Sequence, residues 1–404
     1  MLAQRMTLVA TSGTAGARAA AKAFATTGKE IVDLSAGEVA SAPPHAVVAG
    51  ALAALERGEN RYTETVGIEP LRAVIARRLS GETGHAWIAD EVAVTAGAKQ
   101  ALFNIALALL DPGDEVIIPA PYWATFPAQV RLVGARPVLV GTRASGYVPS
   151  IEKLAEAVTP ATRAIVVNTP SNPVGAVFGE ALLRDIAELA ALHDLWVIFD
   201  ECYGSFVHPP LEHHNFVRTA PQLRHRTLIV NSFSKSLALT GWRLGYVAGP
   251  KDVIAAVKAV QSHTTSNPNV IAQHAVLAHL LQDEPDAFAH DLRERLSGQR
   301  ARGLAILSEL VQVPVVAAQG GFYFYLDLSD LLAARPRDGG VADADDVARL
   351  LLAEAGVATV SGSAFGDAAG LRLTYGVLPD LLERGLTRLV TTLNALARPQ
   401  RAVA

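Results

Sequence analysis

The side chain with the most reactive chemistry in this sequence of 404 residues is a lysine that follows an apolar segment. Lys235 ends the turn Ser232-Phe233-Ser234-Lys235, directly after the β-branched run at residues 228–230. Burial beside a strand removes water from an amine, lowers its pKa and makes it a nucleophile near neutral pH. Taken alone, a lysine on a turn is more often a solvated side chain, so its meaning depends on its neighbours.

Three further charged residues lie beside apolar segments. Asp200 follows the apolar run at residues 195–199, and a buried carboxylate is costly unless it faces a cation or several donors. A protonated ring nitrogen would satisfy it, and so would a helix N-terminus or an ion pair within the core. Arg243 and Arg372 also flank strand-like residues, where a guanidinium usually pairs with a carboxylate or a phosphate. Structural and functional roles stay open for all three residues.

A small-residue turn supplies a candidate phosphate site. Gly97, Ala98 and Lys99 follow the predicted strand at residues 92–94 and precede a helical pattern. The free N–H groups and the positive dipole at a helix N-terminus attract an anion. A glycine turn before a helix is common, so this motif alone is a weak signal.

The elements that must position these residues have the pattern of an α/β protein. Short apolar runs alternate with helices whose apolar residues recur every three or four positions. The predicted strands lie at residues 92–94, 115–118, 136–140, 164–167, 195–199, 227–230 and 245–248. Ligands of such sheets bind at the carboxyl ends of the strands, where Asn172, Asp200, Tyr203 and Lys235 follow. After Val270 the pattern changes to long helices with strands predicted at residues 322–327 and around 371–374, which predicts a smaller α+β domain.

Composition excludes several classes of function. The formal net charge is -4, so the chain has no general attraction to nucleic acid or to anionic membranes. Cys202 is the only cysteine, which excludes an internal disulfide and favours a reducing compartment such as the cytoplasm. No apolar run approaches the ~20 residues that cross a bilayer. The basic N-terminal stretch has features of a transit peptide, but its continuation into the apolar residues 31–34 favours a folded arm.

Histidines cluster at one place without the spacing of a metal site. His208, His213 and His214 lie near Glu212, on a segment interrupted by Pro209 and Pro210. Metal ligands are usually presented on one face of a helix or in a defined loop, and neither is predicted here. We therefore predict no metal.

Taken together, these pieces resemble the class I aminotransferases of the aspartate aminotransferase family, which are pyridoxal-phosphate enzymes of fold type I. The most specific piece is Ser232-Phe233-Ser234-Lys235 followed by Thr240-Gly241-Trp242-Arg243-Leu244-Gly245. The other matching segments are residues 31–38, Tyr62-Thr63, Gly67-Ile68, residues 111–114, Pro121-Tyr122-Trp123, Asn172-Pro173-Val174-Gly175 and Arg372. The resemblance implies a large domain with a mostly parallel sheet flanked by helices, plus a smaller α+β domain. We assign residues 1–45 to an N-terminal arm and part of the small domain, 46–289 to the large cofactor-binding domain and 290–404 to the small C-terminal domain.

The resemblance also implies a role for each site residue. Lys235 would hold the cofactor as an aldimine and shuttle a proton, and Asp200 would keep the pyridine nitrogen protonated. The remaining cofactor contacts would come from Tyr203 and Asn172 at the phenolic oxygen, Trp123 on the ring face, and Gly97, Ala98, Lys99, Ser232, Arg243 and Tyr62 at the phosphate. Tyr62 would belong to a neighbouring subunit, which implies a homodimer. Arg372 would bind the substrate α-carboxylate, with Gly37, Trp123 and Asn172 beside the substrate.

The sequence departs from the family where substrates are chosen. Residues 39–42 read Val-Ala-Ser-Ala where relatives usually have Pro-Asp-Phe, and Val174 replaces a threonine. The amino donor, the 2-oxo acid and any second substrate carboxylate therefore stay open. We predict an aminotransferase of amino-acid metabolism, with elimination or oxidation on the same cofactor as the alternative. A non-catalytic module is disfavoured because Lys235, Asp200 and Arg372 are all present.

Overall fold

The computed structural model describes residues 2–26, 28–316, 318–334 and 341–398. The strands in chain order are β1 (Val32–Asp33), β2 (Val92–Thr95), β3 (Glu115–Ala120), β4 (Arg136–Gly141), β5 (Thr162–Asn168), β6 (Trp196–Asp200), β7 (Thr227–Ser232), β8 (Gly245–Ala248), β9 (Val315–Val316), β10 (Tyr323–Asp327), β11 (Val357–Ala358), β12 (Val360–Ser361) and β13 (Gly370–Thr374).

Helices separate most of these strands. They are α1 (Gly13–Ala25), α2 (His45–Glu56), α3 (Glu69–Thr83), α4 (Ala98–Leu109), α5 (Thr125–Leu132), α6 (Ile151–Glu156), α7 (Glu180–Leu192), α8 (Phe216–Thr219), α9 (Phe233–Ser236), α10 (Lys251–Ser262), α11 (Val270–Leu280), α12 (Ala287–Leu307), α13 (Ser329–Ala333), α14 (Ala344–Leu350) and α15 (Pro379–Ala397). Helix α3 illustrates the local signals, because Pro70 lies in its first turn and Gly84 caps its C-terminus in the left-handed conformation.

The large sheet has seven strands in the order β2-β8-β7-β6-β5-β3-β4. The pairs from β7 to β4 are parallel, whereas β8 runs antiparallel to both β2 and β7. Every residue of β2, β6 and β8 is buried, as expected for strands that helices cover on both faces. The parallel strands bring the residues that follow β5, β6 and β7 to one edge.

A smaller sheet completes the fold. Its four strands, in the order β12-β13-β10-β9, are antiparallel, and β1 pairs with β11 in a separate parallel pair. Helices α12 and α15 contact each other, and their apolar residues share a core with β10 and β13. We call the seven strands with their helices the large-sheet unit, and β9 to β13 with α13 to α15 the small-sheet unit.

The predicted fold class is confirmed. All seven predicted strands of the large sheet exist, and each observed end lies within two residues of the prediction. The strands predicted near residues 322–327 and 371–374 are β10 and β13. The boundaries after residues 45 and 289 stay predictions. Within the described part of the chain, no helix combines the length and apolar character needed to cross a bilayer.

Candidate active site

A cavity of about 440 Å³ lies where the carboxyl ends of β5, β6 and β7 face the small-sheet unit. Strand ends supply Asn168, Asp200 and Ser232 to its wall, and β10 and β13 supply Tyr323 and Arg372. The whole lining comprises Thr14, Gly37, Glu38, Ala98, Lys99, Trp123, Asn168, Asn172, Asp200, Cys202, Tyr203, Ser232, Ser234, Lys235, Thr240, Arg243, Tyr323 and Arg372. Parallel pairing explains why residues far apart in sequence meet here.

Lys235 projects into this cavity from a single helical turn. The turn starts where β7 ends, because the Ser232 hydroxyl caps it by accepting a hydrogen bond from Ser234 N at 3.1 Å. The lysine amine donates to the backbone oxygen of Gly37 at 2.5 Å. Burial lowers the pKa of Lys235 to about 8, so roughly a tenth of the amine is neutral at pH 7, far more than for a solvated lysine.

Asp200 is 2% exposed and ends the fully buried strand β6. One of its oxygens accepts a hydrogen bond from Cys202 N at 3.1 Å. Burial raises the pKa of Asp200 to about 6, and the Cys202 hydrogen bonds only partly offset that effect. Because a cationic partner would relieve this cost, the carboxylate is suited to a protonated ring nitrogen.

Hydroxyl and amide groups connect the two units across the cavity. The hydroxyl groups of Tyr203 and Tyr323 are 3.0 Å apart, and Asn172 Nδ2 donates to Tyr203 OH at 3.4 Å. Burial, together with the neighbouring Tyr323, raises the pKa of Tyr203 well above its usual range. Tyr203 is therefore a neutral phenol that can exchange hydrogen bonds with a ligand oxygen.

Arg372 is 2% exposed on β13 and is already oriented by the protein. Its guanidinium donates to Asn172 Oδ1 at 3.0 Å and to the backbone oxygen of Ser35 at 2.8 Å. It lies over the rings of Tyr323, at 4.4 Å, and Phe365, at 4.9 Å. Its buried Nε has no hydrogen-bond partner within the described residues, so a planar anion in the cavity would satisfy it.

The opposite end of the cavity is suited to a phosphate. Gly97 precedes α4 with φ +79°, and a Cβ atom at this position would lie 2.8 Å from the Arg243 guanidinium. Only glycine therefore allows Arg243 to lie against the helix N-terminus, where the first amides of α4 have no intrahelical acceptor. Ser232 and Thr240 add hydroxyl groups. Backbone amides, hydroxyls and a guanidinium are the usual partners of a phosphate.

The structure brings nearly all the predicted site residues together. The following predicted residues line the cavity: Gly37, Ala98, Lys99, Trp123, Asn172, Asp200, Tyr203, Ser232, Lys235, Arg243 and Arg372. Gly97 lies directly behind the wall, against Arg243. Tyr62 does not line the cavity of its own chain, because its side chain is 89% exposed on the surface.

Seven lining residues were not among the predicted site residues: Thr14, Glu38, Asn168, Cys202, Ser234, Thr240 and Tyr323. Glu38, Cys202 and Ser234 directly adjoin predicted residues in sequence, and Asn168 and Thr240 lie within four positions of one, so the predicted segments could have identified them. Tyr323 follows the Gly320-Gly321 pair at the start of β10, which is a weaker signal. Thr14 arrives from α1, and no local pattern predicts its position.

The histidine cluster is divided between different partners. The ring nitrogens of His208 form hydrogen bonds with Ser297 Oγ and Tyr375 OH, whereas His213 Nε2 is 2.9 Å from Glu201 Oε2. No group of three histidine, cysteine or acidic side chains that could hold a metal ion occurs in the part of the chain that the structure describes.

The groups present match the chemistry of pyridoxal phosphate. Lys235 offers an amine of lowered pKa for the aldehyde, and Asp200 offers a carboxylate for the ring nitrogen. Tyr203 and Asn172 offer hydrogen bonds for the phenolic oxygen, and Trp123 offers an aromatic face. Ser232, Arg243 and the α4 N-terminus offer donors for the phosphate. No side chain in this set conflicts with that cofactor.

Comparisons with known proteins agree with this geometry. Residues 29–389 match the family model described as aminotransferase class I and II. An aspartate aminotransferase of Geobacillus stearothermophilus is 35% identical, with 98% of this chain and 100% of the relative covered. An aspartate/prephenate aminotransferase of Thermus thermophilus is 38% identical, with 97% and 99% covered.

Solved structures are similar over the same length. The aspartate aminotransferase from Thermus thermophilus with maleate superposes with a TM-score of 0.91 at 37% identity, covering 97% of this chain and 100% of that one. The aspartate aminotransferase from Rhizobium meliloti gives a TM-score of 0.92 at 34% identity, covering 98% and 99%. The likeness therefore extends across both sheets and the cavity between them.

Proposed function

The chain belongs to the class I and II aminotransferases, and we propose that the residues of its cavity bind a dicarboxylic amino acid and its 2-oxo acid. It is a pyridoxal-phosphate-dependent aminotransferase of fold type I. The alternative of elimination or oxidation is not favoured, because the relatives are named aminotransferases. The observation that carries the proposal is that Lys235, Asp200 and Arg372 line one cavity together with a second cation, Lys99.

Lys235 is proposed as the group that attaches the cofactor and moves the proton. Pyridoxal phosphate, when bound, supplies an aldehyde that condenses with amines and a ring that withdraws electrons from the substrate Cα. The lowered pKa of Lys235 gives Nζ both a nucleophilic form and a protonated form near pH 8. Lys235 Nζ can therefore accept and return a proton without leaving the cavity.

Arg372 is proposed to bind the substrate α-carboxylate. Asn172 and the backbone oxygen of Ser35 fix the guanidinium plane, so little side-chain entropy is lost when an anion binds. The unpaired Nε and the remaining N–H groups are available for a carboxylate. The Gly37 backbone, which accepts the Lys235 hydrogen bond, closes the cavity on the same side.

Lys99, which the sequence resemblance places at the cofactor phosphate, is proposed instead to bind a second substrate carboxylate. Its amine lies 5.1 Å from the centre of the Trp123 ring, inside the cavity wall. Among the described residues no acidic side chain forms an ion pair with Lys99, and burial followed by the nearby Arg243 lowers its pKa. A carboxylate would relieve both effects, and Thr14 lines the same cavity. The named aspartate aminotransferases, and the Thermus structure with the dicarboxylate maleate, support this substrate class.

A homodimer is proposed from exposed apolar side chains on α2 and the exposed Tyr62 that follows this helix in the chain. Val48, Leu52 and Leu55 lie on one face of α2 and are 40%, 56% and 60% exposed, and Tyr62 is 89% exposed. An exposed apolar stripe of this kind is typical of an interface. Tyr62 would then reach the cofactor phosphate of the other subunit.

We also propose a role in amino-acid biosynthesis in the cytoplasm. The single cysteine, Cys202, supports a reducing compartment.

The proposed function is tested by absorption spectroscopy of the purified protein with pyridoxal phosphate. Aspartate and glutamate are expected to discharge the band of the bound cofactor, whereas alanine and phenylalanine react more slowly. Lys235→Ala should form no such band. Lys99→Met should lower kcat/KM for aspartate roughly tenfold or more, since a hydrogen bond to a charged group is lost, and should leave alanine within about threefold. Equal losses for both amino acids would contradict a second carboxylate site at Lys99.

A further inference from the structure

Arg143 lies outside the cavity but connects the two units of the fold. It follows edge strand β4 directly and belongs to the large-sheet unit. Its guanidinium donates to the carboxylates of Asp327 and Asp367 and to the hydroxyl of Ser329, all in the small-sheet unit. One guanidinium thus binds two carboxylates that approach it from two different segments.

Two tyrosines complete this cluster. Tyr147, four residues after Arg143, donates from its hydroxyl to Asp327 Oδ2 at 3.1 Å. Tyr325 donates to Asp367 Oδ2 at 2.8 Å, and the two tyrosine rings meet edge to face at 5.5 Å. Burial alone would raise the pKa of Asp327, but hydrogen bonds from Ser329 and the charge of Arg143 lower it. We call Arg143, Tyr147, Tyr325, Asp327 and Asp367 the bridging cluster.

Two members of the bridging cluster, Tyr325 and Asp327, lie on the strand that pairs with the strand of the substrate-binding arginine. Asp327 ends β10, and Tyr325 of β10 pairs directly with Arg372 of β13. Alternate residues of a strand point to one face, so Tyr323, Tyr325 and Asp327 all face the large-sheet unit. Tyr323 lies under the Arg372 guanidinium at one end of this row, and Asp327 contacts Arg143 at the other.

A second connection runs through the segment that precedes β13. Asp367 follows the helical turn Gly362–Phe365, and the Phe365 ring lies 4.9 Å from the Arg372 guanidinium. The backbone oxygen of Phe365 accepts a hydrogen bond from Tyr122 N at 3.0 Å, next to Trp123 in the cavity wall. Fixing Asp367 therefore fixes the ring that supports Arg372.

We propose that Arg143 is a positioning residue for substrate binding, which sets the place of Arg372 by holding Asp327 and Asp367 against the large-sheet unit. Without this cation, the carboxylates of Asp327 and Asp367 would lose their ion pairs with the large-sheet unit and would repel each other in a partly buried cluster. That repulsion would displace the two segments of the small-sheet unit that support Arg372. Lysine cannot replace it fully, because a guanidinium binds two carboxylates through a planar fork. This inference rests on the proposed role of Arg372.

The experiment compares Arg143→Met and Arg143→Lys with Arg136→Met in the holoenzyme. Arg136 is the matched control, because it begins β4, the strand that precedes Arg143, and pairs with Glu115 inside the large-sheet unit. Arg143→Met is expected to raise KM for aspartate and the inhibition constant of maleate roughly tenfold. The kcat and the affinity for pyridoxal phosphate should stay within about threefold, Arg143→Lys should give an intermediate KM, and Arg136→Met should match the wild type.

A rescue variant separates positioning from a general loss of stability. The triple variant R143M/D327N/D367N removes the repulsion and is expected to recover most of the substrate affinity. Wild-type KM values in both Arg143 variants would overturn the inference. If Arg143→Met does not fold, a wild-type KM in Arg143→Lys is sufficient to overturn it. Arg372→Gln distinguishes the two proposals. If Arg372→Gln binds maleate normally, the proposed role of Arg372 and the inference about Arg143 both fail. If Arg372→Gln loses maleate binding while the Arg143 variants keep it, the inference about Arg143 alone fails.

Discussion

The guanidinium of Arg372 donates to Asn172 Oδ1 at 3.0 Å, so a strand of the small sheet is hydrogen-bonded to a loop of the large sheet inside the cavity. The same amide donates from Nδ2 to Tyr203 OH at 3.4 Å. Asn172 thus contacts both the residue proposed to bind the substrate carboxylate and the residue proposed to bind the cofactor phenolic oxygen. Its two amide atoms have opposite roles, one accepting and one donating.

Replacing Asn172 by alanine is expected to weaken substrate binding more than cofactor binding. The change leaves a buried N–H of Arg372 without its partner and frees the guanidinium to reorient, at a cost of about 1.5–3 kcal/mol for a hydrogen bond to a charged group. KM for aspartate should rise roughly 10- to 100-fold. Steady-state kinetics with aspartate, together with titration of pyridoxal phosphate, measure both effects. An unchanged KM would show that Arg372 is held without Asn172.

The lowered pKa of Lys235 predicts how fast the cofactor attaches at different pH values. Burial lowers this pKa from 10.5 to about 8, and only the neutral amine attacks an aldehyde. The attachment rate to the cofactor-free protein should therefore rise about tenfold per pH unit below pH ~8 and level off above it. Stopped-flow absorption between about pH 6 and 9 measures the rate, with Lys235→Arg as a control that binds without attaching. A rate that kept rising to pH ~10 would indicate an ordinary, solvated lysine.

The buried carboxylate of Asp200 is expected to lower the stability of the cofactor-free protein. Its folded pKa of about 6 lies above the ordinary aspartate value of 3.8, so between these pH values the folded protein holds a proton that the unfolded chain has lost. The carboxylate therefore destabilises the cofactor-free protein progressively as pH rises through this window, by up to about 3 kcal/mol above pH ~6.

The variant Asp200→Asn removes that carboxylate and its charge. We expect the cofactor-free variant to be more stable than the wild type at pH 7 and equally stable near pH 4, as measured by urea unfolding. With pyridoxal phosphate, the same variant should lose at least about 100-fold in the half-reaction with aspartate, because the ring nitrogen no longer faces an anion. A variant that is less stable at pH 7 would show that the carboxylate is not an uncompensated buried charge.

The sequence was sufficient to predict the large sheet and most of the cavity. The apolar runs before Asn172, Asp200 and Lys235 are short, β-branched and followed by polar residues, and parallel strands necessarily bring such residues to one edge. The match to a known family then gave each residue a role. The pattern of apolar residues was enough to locate these strands because strands that are buried on both faces are apolar throughout.

Contacts between the two units could not be predicted in the same way. Tyr323 and Thr14 reach the cavity from β10 and α1, whose sequences give no sign of what they will face. The contacts of Arg143 with Asp327 and Asp367 join segments separated by 184 and 224 positions, and many other arginines and aspartates in this chain have the same local pattern. Pairing at that distance is set by the packing of the two sheets rather than by propensity.

His208 illustrates this point and leads to a last prediction. It is 3% exposed, with Nε2 at 2.7 Å from Tyr375 OH and Nδ1 at 2.8 Å from Ser297 Oγ. Tyr375 OH itself donates to the backbone oxygen of Gly321 at 3.0 Å. The hydrogen-bond network therefore assigns the proton to Nε2, and Nδ1 accepts from Ser297. A second proton on the ring would reverse the Ser297 hydrogen bond, with Nδ1 donating to Oγ, and would place a charge in a buried site.

This arrangement predicts a pH-dependent stability that belongs to His208. Burial, followed by the charge of Arg300, lowers its pKa from 6.5 to about 4, so between these values the unfolded chain binds a proton that the folded protein does not. Stability from this group is complete above pH ~6.5 and falls by about 3 kcal/mol as pH drops to ~4. Urea unfolding should therefore show that the difference in unfolding free energy between wild type and His208→Gln changes by about 3 kcal/mol between pH ~6.5 and ~4, because the Asp200 contribution is common to both proteins. The exposed control His193→Gln should differ from the wild type by an amount that does not change with pH. A difference between wild type and His208→Gln that is constant over this range would assign the acid sensitivity to other groups.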